Sequence, residues 1–150
     1  MIHCEFRKKK NLGTISFNNH VISGVLKDKL LLKTFLSSIF AEERFDFKSV
    51  SYVFCTDEFL LKLNQEYLKH DTLTDILTFT LSGTSLPIVS EIYISVERVR
   101  ENAQNLDVKY EDELHRVMIH GILHLCGYSD HSPKEKAEMR SKEDYYLSKL

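Results

Sequence analysis

The chain is poor in the two residue types that build linkers and turns. Its 150 residues include 5 Gly and 2 Pro, whereas globular proteins commonly contain about 12% of the two together. Long flexible linkers and collagen-like repeats are therefore excluded. The remaining composition, 43% hydrophobic and 28% charged, is that of a folded protein rather than a disordered chain. At this length we expect a single domain over residues 1–150.

The sequence also lacks an excess of positive charge. Lys and Arg number 20 against 22 Asp and Glu, so the formal net charge is −2. Domains that bind nucleic acid through a broad basic surface commonly have a pI above about 9. That class is excluded, and any contact with nucleic acid must be local or assisted by a partner protein.

Cysteine pairs and membrane segments are missing as well. The three cysteines, Cys4, Cys55 and Cys126, are odd in number and show no short C-x-x-C spacing, so we expect no disulfide framework and a reducing, cytoplasmic location. No apolar segment follows the charged start of the chain, which argues against a signal peptide. The longest apolar stretch, at 30–40, is interrupted by Lys33 and is far shorter than the roughly 20 residues that cross a bilayer.

Hydrophobic periodicity predicts an α+β fold. Alternating or β-branched segments predict strands at 12–19, 49–56, 75–81 and 91–95. Apolar residues at helical spacing predict helices at 27–45, 57–68, 95–106, 110–126 and after residue 132. We therefore expect a mixed sheet of about four strands packed with about five helices.

Two of the predicted helices begin with recognisable capping residues. Asp57 is the expected N-cap of the helix at 57–68. Ser132 is followed by Pro133 and, three residues on, by Glu135, which is the pattern of a capping box with proline at the first helical position.

The residues that indicate chemistry lie together in the segment HGILHLCGYSDH at 120–131. His120 and His124 are four residues apart, so on a helix their imidazoles lie one turn apart on the same face. Two imidazoles in this arrangement can bind one Zn²⁺ at about 2.0–2.1 Å. Gly127 stands where a helix would end in a left-handed conformation, and the Asp130–His131 pair beyond it can supply a third ligand. We therefore expect a zinc site on a C-terminal helix, with its fourth position open to water, as in catalytic sites.

Gly121 distinguishes this pattern from the zinc-peptidase motif. In H-E-x-x-H the residue after the first histidine is the general base, and glycine has no side chain to accept a proton. Glycine inside a helix costs about 1 kcal/mol relative to alanine. Its presence indicates either a close approach of substrate or backbone, or tight packing of the helix on a strand.

Three segments resemble the YbeY family of bacterial endoribonucleases, which are zinc-dependent proteins of ribosomal RNA maturation. HGILHLCGY resembles the family's H-G-x-L-H-L-x-G-Y, LNQEYLKHDTLTDILTF resembles L-N-x-x-Y-R-x-x-D-x-x-T-D-V-L-S-F, and SEIYIS resembles G-D-I-x-I-S. The resemblance begins near residue 63 and continues to the C-terminus, in the family's order. It implies a single-strand-specific endoribonuclease that holds one Zn²⁺ per chain. Its implied role is 3′-end maturation of small-subunit ribosomal RNA and ribosome quality control, with ribosome-associated proteins as partners.

The resemblance also bears on the third ligand. The family usually places its third histidine six residues after the second, a position that Asp130 occupies here, with His131 one residue further. Zinc accepts a carboxylate oxygen at about 2.0–2.2 Å, and the preceding match contains no gap. We therefore predict His120, His124 and Asp130 as metal ligands, and the two histidines as catalytic through the water that the ion activates.

Two further positions depart from the family pattern. Leu68 replaces an arginine thought to contact the RNA phosphate, so we expect Lys69 and His70 to supply the positive charge for substrate binding. Glu91 replaces an aspartate, and we expect it to orient a neighbouring group rather than to react. Because the net charge is −2, long-range attraction of the whole chain to RNA should be weak. We therefore expect a patchy surface on which the metal cleft is locally positive.

Two other functions are compatible with the sequence. The first is a zinc peptidase or amidase in which a carboxylate such as Glu91 replaces the missing base. The second is a non-catalytic ribosome-assembly factor whose metal only fixes the C-terminal turn, which the loss of the arginine at Leu68 favours.

Overall fold

The computed structural model describes residues 13–20, 25–68, 74–84 and 87–150. The strands are β1 (Thr14–Asn19), β2 (Phe47–Cys55), β3 (Ile76–Thr80) and β4 (Ile88–Ser95). The helices are α1 (Lys29–Glu42), α2 (Asp57–Leu63), α3 (Val96–Leu106), α4 (Tyr110–Leu125) and α5 (Pro133–Leu147), and a π-helical turn (Asn64–Leu68) continues α2. The α+β class and the number of elements are confirmed for the described part of the chain, with bounds that shift by a few residues.

The four strands form one mixed sheet in the order β1-β2-β4-β3. Strand β2 runs parallel to both β1 and β4, whereas β3 is antiparallel to β4. Successive side chains of a strand point to opposite faces. In β4, Ile92 and Ile94 therefore face one side of the sheet, where they are fully buried, and Glu91 and Tyr93 face the other.

The main core lies between the Ile92 face of the sheet and the helices, with buried residues from α1, α3, α4 and α5. Tyr52 at its centre is fully buried, and its hydroxyl donates a hydrogen bond to the backbone carbonyl of Met118 at 2.8 Å. A buried hydroxyl needs such a partner. The bond thus joins β2 to α4, the helix that carries both predicted histidine ligands.

Gly121 accounts for the close contact between α4 and the sheet. A Cβ atom at this position would lie 3.0 Å from Cδ1 of Ile76 and 3.1 Å from Cδ1 of Ile92. Of the two explanations that the sequence left open, the structure supports tight helix–strand packing. His120 and His124 lie on α4 beside this contact, and both side chains remain partly exposed.

A smaller cluster covers part of the opposite face of the sheet. Its buried members are Cys55, Leu60 and Leu77, against which α2 packs. The predicted cap of α2 is wrong by one residue: the Thr56 hydroxyl accepts the Phe59 N–H at 3.2 Å, and Asp57 is the first helical residue. The carboxylate of Asp57 is instead held by the Ser95 hydroxyl and by Arg98, so it does not act as a cap.

Helix α5 begins with the predicted capping box. The Ser132 hydroxyl accepts the Glu135 N–H at 3.1 Å, and the Glu135 carboxylate in turn accepts the Ser132 N–H. Pro133 occupies the first helical position. This cap, at Ser132, fixes the start of α5 and lies two residues after Asp130, the predicted third ligand. None of the helices in the described ranges is both long and apolar enough to cross a bilayer.

Glu43 connects the end of α1 to the C-terminal part of the chain. Its carboxylate accepts hydrogen bonds from the Tyr128 hydroxyl at 2.8 Å, from Lys142 Nζ at 3.0 Å and from the Tyr146 hydroxyl. Burial favours the neutral acid, but the three donors outweigh it and lower the pKa of Glu43 below its usual 4.5. A pKa lower in the folded than in the unfolded state adds stability that is present above pH 4.5 and is lost as the pH falls through the folded-state pKa.

We expect Glu43→Gln to lower the free energy of unfolding by about 1–2 kcal/mol at pH 7, because an amide is a weaker acceptor for three donors. The loss should shrink as the pH falls below the folded-state pKa. Urea denaturation at several pH values measures it. The matched control is Glu42→Gln, one residue earlier and more exposed, where we expect a smaller loss. Equal losses in the two variants, or a loss unaffected by pH, would contradict this role of Glu43.

Candidate metal centre

Helix α4 and the loop that follows it bring three potential ligand atoms together. Asp130 Oδ2 lies 3.4 Å from His120 Nε2 and 3.5 Å from His124 Nε2. The three groups offer one ligand atom each, all within 4.8 Å of one another. These are the three residues that the sequence predicts as metal ligands.

His131, the alternative third ligand, belongs to no such group among the described residues. Its side chain is exposed, and its backbone N–H donates to Glu135 Oε2 at 3.1 Å. The backbone of His131 is thus held by the start of α5.

The glycine turn orients His124. Gly127 adopts φ = +94°, the left-handed region that glycine enters without a steric penalty. The turn brings the carbonyl oxygen of Tyr128 to 2.9 Å from His124 Nδ1. Because a carbonyl only accepts hydrogen bonds, the proton of a neutral His124 is on Nδ1, and its Nε2 lone pair faces Asp130.

His120 lies among carboxylates. Its Nδ1 is 3.6 Å from Glu143 Oε1, and its Nε2 faces Asp130. Burial disfavours protonation of the imidazole, but Glu143, Asp130 and Asp75 outweigh this effect and raise the pKa of His120 above 6.5. The same negative potential favours a metal cation.

A cavity of about 250 Å³ opens beside His120 and Asp130. Its other charged lining residues are Asp75, Glu113 and Glu143, together with Arg116 and Arg140. Carboxylates outnumber guanidinium groups, so the expectation of a locally positive cleft is wrong for the described side chains. A bound cation would offset this excess of negative charge. Two imidazoles and one carboxylate are a ligand set that Zn²⁺ accepts and that is also found for iron(II), so these residues fit a metal ion.

Asp75 also lines this cavity, which the sequence motifs did not predict. Its hydrogen-bond partner among the described side chains is Asn102, whose Nδ2 donates at 3.4 Å. Burial raises the pKa of Asp75, and the nearby charge of His120 only partly offsets the effect. A mostly buried carboxyl with a raised pKa beside a cavity is typical of groups that exchange protons. Asp75 could have been found from the sequence, because it begins the DILTF stretch of a segment that resembles the family pattern.

The predicted substrate-binding residues Lys69 and His70 lie outside the described residues, so their role stays a prediction. Leu68, the last residue of the π-helical turn, is 47% exposed. Cys126 is buried in the main core, and burial raises the pKa of its thiol to about 12. It is therefore a packing residue rather than a reactive one.

Glu91 is not part of the metal centre. It accepts a hydrogen bond from the Tyr93 hydroxyl at 2.7 Å, so it orients a neighbour as expected. Both side chains point away from the face on which Ile92 meets Gly121. Glu91 is thus on the wrong side of the sheet to act as the base of a peptidase centred on His120 and His124.

The structure is thus an α+β domain in which two helical histidines and a carboxylate returned by a glycine turn could hold a metal ion beside a charged cavity. The sequence model of the family described as endoribonuclease YbeY matches residues 15–150. The chain belongs to this family, as its sequence motifs predict.

Individual relatives agree with the family assignment, and a solved structure has a similar fold. The chain is 47% identical over 133 residues to an endoribonuclease YbeY of Flavobacterium psychrophilum, covering 89% of this chain and 94% of the relative. It is 43% identical over 135 residues to that of Cytophaga hutchinsonii, with coverage of 90% and 94%. The solution structure of a Thermotoga maritima protein superposes with a TM-score of 0.64 at 34% identity, covering 90% of this chain and 87% of that one.

Proposed function

We propose that this chain is a zinc-dependent endoribonuclease that hydrolyses single-stranded RNA. The observation that carries the proposal is the convergence of His120, His124 and Asp130 within 4.8 Å, in a chain whose relatives are named endoribonucleases. By resemblance to the family, the substrate is small-subunit ribosomal RNA, cleaved in the cytoplasm during 3′-end maturation and ribosome quality control alongside ribosome-associated proteins.

His120, His124 and Asp130 are the residues that would hold the ion. When bound, zinc supplies Lewis-acid chemistry: it polarises an oxygen atom and lowers the pKa of water toward about 7. The protein contributes orientation. The Tyr128 carbonyl directs Nε2 of His124 toward Asp130, which reduces the rearrangement needed when the metal binds.

Two other residues of the cavity have chemistry suited to a phosphodiester substrate. Arg140 lines the cavity with its side chain 54% exposed, and its carboxylate contact, to Asp144, is a long 4.0 Å. Its guanidinium group is therefore available to bind phosphate oxygens. Asp75 lines the same cavity, and we assign to its carboxyl the acceptance of a proton at Oδ during hydrolysis, which is the role of the base that Gly121 cannot fill.

We expect Asp75→Asn to slow RNA cleavage about 10²-fold, because general acid–base groups commonly contribute at least this much. Zinc content should not change, since Asp75 is not in the ligand group. Single-turnover cleavage of a labelled single-stranded RNA, with metal analysis of the same samples, measures both. Asn102→Ala is the matched control because it removes the hydrogen-bond donor but keeps the carboxyl. If Asp75→Asn cleaved RNA as fast as Asn102→Ala, Asp75 would not be the base.

The decisive experiment for the function is RNA cleavage by the purified chain with and without a chelator, with casein as a second substrate. We expect RNA to be cleaved, cleavage to stop with the chelator and to return with added zinc, and casein to stay intact. Cleavage of casein would favour the peptidase alternative. Intact RNA despite full zinc loading would favour the non-catalytic assembly factor.

A further inference from the structure

Glu143 is a buried carboxylate next to the metal centre. It lies in α5, and only 6% of the residue is exposed. Its two carboxylate oxygens face two groups of α4: Oε1 is 3.6 Å from His120 Nδ1, and Oε2 is 3.8 Å from Arg116 Nη1. A buried carboxylate is costly unless a positive group or hydrogen bonds compensate it. This placement therefore calls for an explanation.

Arg116 explains why the charge of Glu143 is tolerated. It precedes His120 by one helical turn on α4, so the two side chains share a face. Its side chain is 16% exposed, and Nη2 forms a closer ion pair, at 2.8 Å, with Asp144 of α5. The guanidinium group thus contacts both acidic residues of α5 and compensates the buried one.

The contact with His120 is not needed to hold α5 in place. Arg116 already joins α4 to α5 through Asp144, and Met139 and Tyr146 of α5 are buried in the main core. Within the described part of the chain, Glu143 is also the residue that forms an ion pair with His120 Nδ1. Among the described residues, no backbone carbonyl accepts a hydrogen bond from Nδ1 of His120, whereas the Tyr128 carbonyl lies 2.9 Å from Nδ1 of His124.

We infer that Glu143 is a positioning residue for the metal centre. Its carboxylate, 3.6 Å from Nδ1, favours the tautomer of His120 that keeps its proton on Nδ1, so that the Nε2 lone pair of the imidazole points toward Asp130 and the metal position. Carboxylates that orient a ligating histidine in this way commonly contribute 10–100-fold to metal affinity. The inference rests on the proposed function only in that it requires the metal centre, and it does not require that RNA be the substrate.

The test combines a spectroscopic and a binding measurement on the full chain. Two-bond ¹H–¹⁵N NMR on the metal-free protein at pH 8 identifies which ring nitrogen of His120 carries the proton, and chelator competition gives the Kd for zinc. In the unsubstituted protein we expect the proton of His120 on Nδ1. In Glu143→Ala and Glu143→Gln we expect the Nε2-protonated form to gain population and the Kd for zinc to rise about 10–100-fold.

Two controls separate positioning from a general structural effect. His124 is the internal one, because its partner is the Tyr128 carbonyl and its tautomer should not change. Asp144→Asn is the matched one, because it weakens the contact between Arg116 and α5 without touching His120. We expect this variant to keep the original tautomer and a zinc Kd within about threefold of the unsubstituted value, about 0.65 kcal/mol at most.

An unchanged His120 tautomer in both Glu143 variants would overturn the inference, as would an unchanged zinc Kd or an equal change in Asp144→Asn. Glu143→Gln guards against misfolding because it keeps the shape of the side chain. Failure of the unsubstituted protein to cleave RNA, with the tautomer and Kd responding as expected, would contradict the proposed function and leave this inference standing.

Discussion

Asp130→Ala loses its bound zinc, whereas His131→Ala keeps it: this is the result that we expect from metal analysis of the purified variants. Asp130 Oδ2 lies 3.4 and 3.5 Å from the Nε2 atoms of the two histidines. His131 is exposed and held by Glu135. His120→Ala and His124→Ala should lose metal and RNA cleavage together, because removing any one of three ligands leaves too few to hold the ion.

The fold should survive these ligand substitutions. The three side chains retain 20–36% exposure and lie outside the main core, so circular dichroism should show unchanged helix content. Full zinc in Asp130→Ala with none in His131→Ala would overturn the ligand assignment.

Acid should also remove the metal. A protonated imidazole cannot bind zinc, and the pKa of His120 is raised above 6.5. In the unsubstituted protein, protons therefore compete with zinc for the imidazoles, and zinc occupancy should be lost as the pH falls below about 6. Full occupancy at pH 5 would contradict histidine ligation.

Those parts of the site that depend on local sequence were predictable. A spacing of four residues fixes the relative direction of His120 and His124 on any helix, and Gly127 is the residue type that a left-handed helix end requires. The capping box at Ser132 is equally local. Asp130 was chosen over His131 by register against a family pattern, because the residue types alone left both open.

The groups around the ligands were not predictable, because they depend on how distant elements pack. Glu143 reaches His120 only because α5 folds back along α4, and Asp75 reaches the cavity only because β3 begins beside the same helix. Neither residue shows a spacing to His120 that local geometry would explain. For the described side chains, the expectation of a positive cleft was wrong for the same reason: the net charge of −2 does not indicate which side chains converge.

Gly121→Leu should lower the free energy of unfolding more than Glu43→Gln does. A Cβ at this position already lies 3.0–3.2 Å from side-chain atoms of Ile76 and Ile92, and Ile92 is fully buried. The remaining atoms of a leucine have no space unless α4 moves away from β3 and β4. Overpacking of this kind commonly costs about 1–3 kcal/mol and occasionally more, and we expect a loss of at least about 3 kcal/mol by urea denaturation.

Gly121→Ala is the graded control. Its Cβ meets methyl groups of Ile76 and Ile92, and the gain of about 1 kcal/mol in helix propensity offsets part of the crowding. We expect its stability to stay within about 1 kcal/mol of the unsubstituted protein. Displacing α4 should also weaken zinc binding in Gly121→Leu, since α4 carries two of the three ligands, whereas β3 and β4 carry none. A leucine variant as stable as the alanine variant would show that the contact between α4 and the sheet is looser than these distances indicate.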